Sequence, residues 1–406
     1  MKNIVSAISL ASLLLGITSS ARSDVVTEWN EKAVVAGYTA RISPGVSARN
    51  IAMLHIAIFE ALNSIEPRYL PYRKRFSAEL TTSREAAAAA AAHYILVRVY
   101  PDQAKELHKA LETELAAVTD GQAKTDGIRL GEQSAQAILL ERSTDGANSP
   151  NTYRPFTTPG KYVPTQFPVM STWGVVRPFG LKSGNQFRPP APYALTTTRW
   201  AKDYNEVKRM GAKSGSARTE EQSVIARFWA LTGPATYNPV ARQLSAAHGV
   251  DVLGNARLFA LFSMAAADAG VAIFEAKYKY NFWRPVTAIR NGDLDENKAT
   301  ERDLSWEPFI TTPMHPEYPC AHCTFQSTAA SVLEAFFGNN VPSFSLTSTT
   351  APGVTRSFNK LSDYVAEVVN ARVYDGVHYR TSGEVGAAMG QKIGQYTVQN
   401  FLEPIH

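Results

Sequence analysis

Residues 253–285 read LGNARLFALFSMAAADAGVAIFEAKYKYNFWRP. The run Phe259–Ala267 is apolar on every face and is interrupted only by Asp268, which predicts a helix buried on all sides. The helix is expected over Leu253–Tyr280. Its far end changes character at Lys277-Tyr278-Lys279-Tyr280-Asn281-Phe282-Trp283-Arg284-Pro285. Lys277 and Arg284 are seven apart; at about 100° per residue this returns to within about 20° of the same face. Pro285 disfavours helical geometry at Arg284, so the helix should end there. A buried helix that delivers a Lys and an Arg at one end suggests a charged site inside a helical protein.

The rest of the chain agrees with a helical fold. Arg49–Leu62 carries Ile51, Leu54, His55, Ile58 and Leu62 at spacings of three and four, an amphipathic pattern. Arg84–Val99 holds the alanine run Ala86–Ala92, which propagates helix and permits close helix–helix approach. Pro101 opens a helix to about Val118, and Ala123–Arg142 forms another. Residues 143–195 are dense in Pro, Gly, Ser and Thr and read as irregular, packed over the helices by Tyr153, Phe156, Tyr162, Phe167, Trp173, Phe179 and Phe187. Further helices are expected over Arg199–Lys213, Thr219–Leu231, Thr324–Phe337, Ser357–Val373 and Ser382–Phe401, with a Ser/Thr-rich loop over residues 339–356. No βαβ alternation and no fixed-period repeat occurs. The expectation is an all-α chain with one large domain over residues 24–406.

Composition narrows the class. Hydrophobic residues make up 45% and aromatics 10% of 406 residues, as in a folded globular protein. The net charge of +5 is modest, and no Lys/Arg run marks a nucleic-acid arm. At the N-terminus Lys2 precedes an apolar core from Ile4 to Ile17 and a small-residue exit, Ser19-Ser20-Ala21-Arg22-Ser23. That is the pattern of a signal peptide over residues 1–23, and it predicts an exported protein, periplasmic or secreted. No integral membrane span is expected after cleavage.

Two further pieces complete the site. In Pro319-Cys320-Ala321-His322 a turn feeds a helix, where free N–H groups bind anions and a histidine is placed for acid–base work. In Arg372-Val373-Tyr374-Asp375-Gly376-Val377-His378, Gly376 offers a break between the arginine and the histidine, so Arg372 would close one helix and His378 would enter from the following turn. Taken singly, each piece reads more readily as structure. Lys277 and Arg284 would be a solvated face, His322 a cap or a buried histidine, and Arg372 a surface partner of Asp375 or Glu367. Together they offer three cations and two histidines, the inventory of an oxyanion pocket.

Their order and spacing resemble the vanadium-dependent haloperoxidases, which share a helical-bundle fold with the type-2 phosphatidic acid phosphatases and bacterial acid phosphatases. The resemblance rests on Lys-x6-Arg-Pro, Pro-x-x-His and Arg-x5-His, with Tyr278, Trp283, Tyr318-Pro319 and Val377-His378-Tyr379 in support. It implies an all-α helical bundle of the haloperoxidase and acid phosphatase type. It also implies that Lys277, Arg284, Cys320, Ala321 and Arg372 hold vanadate or phosphate. His378 would be the axial vanadium ligand, or the nucleophile of a phosphatase, and His322 the acid–base group. The implied activity is oxidation of halide by hydrogen peroxide with vanadate as cofactor. The alternatives are a phosphoester-cleaving acid phosphatase that needs no cofactor, and a non-catalytic oxyanion-binding protein.

Three positions depart from the family pattern. Cys320-Ala321 stands where Ser-Gly is usual, and a thiol is a weaker donor than a hydroxyl. Ser382 stands where phosphatases carry the Asp that orients the last histidine, so Glu384 or Asp268 is expected to substitute. His315 falls where bromoperoxidases often carry His, a candidate for tuning the halide. Cys320 and Cys323 are the only cysteines, and in an exported protein they form a candidate disulfide.

Overall fold

The computed structural model describes residues 24–405 except Thr165. The signal peptide read over residues 1–23 lies outside the described residues. Among the latter, thirteen α-helices and one β-hairpin make up the regular structure, in agreement with the all-α expectation. The N-terminal half contains α1 Val25–Thr39, α2 Pro44–Ile65, α3 Arg84–Val99, α4 Ala104–Ala116 and α5 Gln122–Arg142. After the irregular segment come α6 Thr198–Met210, α7 Glu220–Phe228, α8 Asn238–Ala247, α9 Val252–Tyr280 and α10 Pro285–Arg290. The hairpin of β1 Asn340–Ser348 and β2 Ala351–Lys360 separates α11 Ala321–Phe337 from α12 Leu361–Tyr374, and α13 Arg380–Asn400 closes the fold.

The buried helix α9 packs against α2 and against α11 and α13. By length and composition it would cross a membrane, but 94% of its most apolar window is buried inside the protein. Its one interior acid is satisfied: Asp268 accepts the amides of Phe179, Gly180 and Leu181 at 2.6, 2.7 and 2.8 Å. Asp268 therefore pins the irregular segment to the core. Of that segment's aromatics, Tyr162, Trp173 and Phe179 are buried, whereas Phe156 and Phe167 are exposed.

Small residues set the helix spacing. Ala86–Ala92 is buried throughout, and a Cβ on Gly131 of α5 would meet the amide nitrogen of Ala91 at 2.8 Å. The same device joins α11 to α13. A Cβ on Gly386 would meet the Cys320 carbonyl oxygen at 2.7 Å, and one on Gly390 the Thr328 amide nitrogen at 2.9 Å. The start of α11 is thereby held against α13, and the Cys320 amide donates to the Ser382 carbonyl at 3.1 Å.

The hairpin corrects the loop expected over residues 339–356. Phe344 pairs with Phe358 across its two antiparallel strands. Val341, Phe344 and Leu346 of β1 are buried while Ser343, Ser345 and Thr347 face water. The outward serines and threonines hid a half-buried strand. As a result α12 starts at Leu361 and not at Ser357.

Candidate functional site

Three separated chain segments are clamped by one aromatic cluster. Trp200 lies 5.6 Å from Phe282, 5.9 Å from Trp283 and 5.0 Å from Tyr379 between ring centroids. Tyr318 belongs to the same buried cluster. Each of Trp283, Tyr318 and Tyr379 has a charged or titratable neighbour in sequence, namely Arg284, Glu317 and His378. All three neighbours are buried, with 1%, 0% and 1% of their surface exposed.

The reason Lys277 and Arg284 converge differs from the helical one. The helix α9 ends at Tyr280, and Asn281 turns left-handed at φ 50°. Arg284 is extended and precedes α10. Two helical turns on one face therefore do not align the pair, because the helix ends between them and the chain leaves it through the left-handed residue Asn281. Lys277 donates to the carbonyls of Pro316 and Glu317 at 2.9 and 2.7 Å, which leaves one of its three ammonium protons unused. Arg284 donates to the carbonyls of His315 and Val377 at 2.9 and 2.8 Å, and it lies 3.2 Å from His378 Nε2.

Arg372 and His378 sit as their sequence predicts. Arg372 is in the last turn of α12, Gly376 adopts φ 81°, and His378 follows from the turn. A side chain at Gly376 would meet Pro308 Cα at 3.0 Å, so the turn requires glycine on steric as well as torsional grounds. Arg372 is buried, and its nitrogens lie 2.9 Å from the Trp229 carbonyl and 2.8 Å from Asp375 Oδ2. Its Nε has no partner. Glu367, the other partner considered for Arg372, instead holds Arg356.

The histidine orienter is a residue the sequence reading missed. His378 Nδ1 lies 2.7 Å from Glu317 Oε1, which also accepts the Tyr379 amide at 3.1 Å. Neither Glu384 nor Asp268 fills this role: Glu384 is exposed on α13, and Asp268 is committed to backbone amides. Glu317 carries no distinguishing signal in the sequence beyond lying between His315 and the Tyr318-Pro319 pair. With Nδ1–H donated to Glu317, His378 turns an unprotonated Nε2 toward Arg284.

At the start of α11, Cys320 is the cap and accepts the Cys323 amide at 3.3 Å. This leaves the Ala321 and His322 amides at the helix start, where backbone N–H groups attract anions. His322 keeps some exposure, and its Nε2 lies 3.1 Å from the Leu231 carbonyl, so Nδ1 is free. The candidate disulfide is not formed. Cys320 and Cys323 are free thiols with their sulfurs 2.7 Å apart. His315 Nδ1 lies 3.0 Å from Arg284, and its ring meets Phe274 edge-on.

The electrostatics favour an anion. Three buried cations, Lys277, Arg284 and Arg372, face two buried acids, Glu317 and Asp375. Burial pushes both carboxyls up to about 7, against the pull of Lys277 and Arg284 on Glu317 and of Arg372 on Asp375. Burial lowers Lys277 well below its usual range and Arg284 to about 10. Burial and then the Arg284 charge lower His378, which keeps it neutral. Although the His322 ring is partly exposed, desolvation and the Arg372 charge lower it as well. The pocket thus buries more positive than negative charge, a costly state unless an anion completes it. The unpartnered Arg372 Nε, the spare Lys277 proton and the free helix-start amides fit the oxygens of a tetrahedral oxyanion. The unprotonated His378 Nε2, within reach of Arg284, fits a vanadium ligand. Among the described residues, no cluster of three or more His, Cys, Asp or Glu could hold a metal cation.

Residues 257–406 match the family described as the VCPO second helical-bundle domain. The vanadium chloroperoxidase of Curvularia inaequalis is 24% identical over 73% of this chain, which spans 62% of that protein's length. The solved structure of a bacterial vanadium-dependent iodoperoxidase is similar at a TM-score of 0.80 and 25% identity, covering 94% of this chain and 96% of its own. An apo-type bacterial vanadium-dependent chloroperoxidase shares the fold at a TM-score of 0.73 and 18% identity, with 88% and 94% of the two chains covered. The family match covers the C-terminal bundle that carries the pocket, the likeness to the solved structures runs through the helices that support it as well, and the chain resembles the vanadium-dependent haloperoxidases in both.

Proposed function

We propose that this chain is an exported, vanadate-dependent haloperoxidase that oxidises halide with hydrogen peroxide. The observation that carries the reading is the surplus of buried positive charge around the unprotonated Nε2 of His378. The names of the chloroperoxidase and iodoperoxidase relatives supply the reaction class. Vanadate, when bound, supplies the electrophilic centre at which peroxide is activated toward halide.

The chain's own residues hold and protonate. Lys277, Arg284 and Arg372 neutralise the oxygens of the anion, each charge-assisted hydrogen bond contributing roughly 1.5–3 kcal/mol. The Ala321 amide and the Cys320 thiol complete the wall. His378 presents Nε2 to the central atom because Glu317 keeps the proton on Nδ1. His322, neutral and partly exposed at the pocket edge, takes a proton from incoming peroxide on Nδ1. His315 meets Phe274 edge-on beside Arg284, where it tunes the halide through that guanidinium.

The same residues suit a phosphatase with His378 as nucleophile, so the test runs both assays on one preparation. Purified protein with orthovanadate should halogenate an organic acceptor in the presence of bromide or iodide and peroxide. Hydrolysis of p-nitrophenyl phosphate that vanadate abolishes, with no halogenation, would reverse the assignment. Binding of vanadate and phosphate without either activity would leave a non-catalytic oxyanion-binding protein.

A further inference from the structure

Away from the anion pocket, α3 and α4 each present a histidine to the other. His93 follows the buried alanine run of α3, and His108 follows Leu107, the buried residue of α4. His93 Nε2 and His108 Nδ1 face each other at 2.8 Å, with the ring centroids 4.8 Å apart and the ring planes at 48°. His93 is partly buried and His108 is exposed, so dissolved ions reach the pair. Two ring nitrogens this close share one proton at most, so at least one lone pair is always presented. The cations nearby are engaged elsewhere or point to water. Arg98 lies over the Tyr94 ring and donates to the Tyr94 carbonyl at 3.0 Å, while Lys105 and Lys109 are exposed on α4.

We propose that His93 and His108 chelate a divalent transition metal of the imidazole-preferring class, with Cu2+ the best fitted, and that the bound metal staples α4 to α3. Imidazole suits copper, nickel and zinc, whereas magnesium and calcium take oxygen ligands. Two nitrogens in adjacent positions of a tetragonal shell, each about 2.0–2.1 Å from the metal, stand about 2.8–3.0 Å apart. The 2.8 Å between the two rings falls in that interval. In a tetrahedral shell the same bonds would set the nitrogens about 3.3–3.4 Å apart, so Zn2+ asks the helices to separate. The metal takes the place of the shared proton, and each ring keeps its N–H on the outer nitrogen. Among the described residues no third His, Cys, Asp or Glu joins the pair, so water fills the remaining positions.

The consequence falls on α4. Its 13 residues bury Leu107, and Ala110 and Leu111 add partial contacts with the core. The ion pair of Glu114 with Lys32 of α1, at 3.5 Å, adds little at the surface. A helix held by so little apolar burial opens locally at low cost. A metal that binds only the closed arrangement suppresses that opening in proportion to its occupancy.

The site is independent of the oxyanion reading, and its test reads metal binding, not turnover. The untagged full chain, stripped with a chelator and desalted, is titrated with Cu2+. One equivalent should bind with nitrogen hyperfine structure from two imidazoles in its electron paramagnetic resonance spectrum. His93→Ala and His108→Ala should each weaken that equivalent at least about tenfold, since losing a ligand costs no less than losing the group that orients one. His248→Ala, which removes an exposed histidine stacked on Phe337, should leave it unchanged. Full-affinity binding in the variant carrying both substitutions, or a spectrum of a single imidazole, overturns the site. Zn2+ binding as tightly as Cu2+ overturns the tetragonal geometry. Trypsin should cut after Lys105 and Lys109 more slowly once Cu2+ is bound, and at the metal-free rate in the two variants. Equal cleavage rates with and without metal at full occupancy overturn the staple.

Discussion

His378 Nδ1 and Glu317 Oε1 meet at 2.7 Å, and both residues are buried. The pairing fixes which ring nitrogen carries the proton and so which one faces the pocket. A carboxylate that orients a ligating histidine in this way typically contributes about 10–100-fold in metal affinity. Glu317→Gln is accordingly expected to weaken vanadate binding by about that factor while the helical signal persists. Glu384→Gln, on the exposed face of α13, should leave it unchanged. Equal effects in the two variants would remove Glu317 from its orienting role.

Lys277 is buried with no acid in direct contact, hydrogen-bonded to two carbonyls. An anion at a hundred times its dissociation constant should stabilise the native protein by about 2.7 kcal/mol. Lys277→Met keeps volume and removes the charge. Its affinity should fall severalfold to a hundredfold, as expected for one charge-assisted hydrogen bond. The thermal shift produced by vanadate or sulfate should shrink with it. A full shift in Lys277→Met would place the anion elsewhere.

Glu317 and Asp375, both pushed up to about 7 by burial, give the pocket a pH dependence. Below that pH both hold protons and the three cations are less compensated. Above it the carboxylates ionise and compete with the anion. Sulfate, which does not titrate in this range, should therefore bind more weakly as pH rises through about 7. Asp375→Asn should flatten the curve. A rise in affinity with pH would invert the charge assignment. The anion-free protein follows the same sign for these two acids: their raised pKa contributes stability at low pH that is lost as pH rises toward 7. Buried neutral His378, lowered from its usual range, acts oppositely and costs stability as pH falls below about 6.5.

The approach of α13 to α11 is steric. A Cβ on Gly390 would lie 2.9 Å from the Thr328 amide nitrogen and 3.0 Å from its hydroxyl. Gly390→Ala should destabilise by about 1–3 kcal/mol, the cost of overpacking. Because Gly386 on the same face lies against Cys320, the displacement should also weaken oxyanion binding. Chemical denaturation and vanadate titration on one preparation measure both. Unchanged affinity alongside lost stability would uncouple the helix contact from the pocket.

The C-terminal motifs were legible because their chemistry is local. A glycine at position 376 announces the turn between Arg372 and His378, and Pro319 announces the start of α11. The hairpin at residues 340–360 was not legible, because its outward serines and threonines have the composition of a loop. Its inward Val341, Phe344 and Leu346 acquire meaning only against a neighbouring core. Glu317 was illegible for the same reason. In sequence it stands 61 residues from His378.

What the sequence alone determined is the set of groups and the helical class: the apolar period of α9, the cations at its end, and the two histidines. Those follow from residue identity and spacing along a single chain. The tertiary structure alone decided how the groups meet. It replaced the helical alignment of Lys277 with Arg284 by a left-handed helix end at Asn281. It chose Glu317 over Glu384 and Asp268 as the partner of His378, and it left Cys320 and Cys323 as apposed thiols. The physical reason is that burial and hydrogen-bond partnership depend on distances across the fold, here set by the cluster of Trp200, Phe282, Trp283, Tyr318 and Tyr379 that gathers three distant segments around one excess of positive charge.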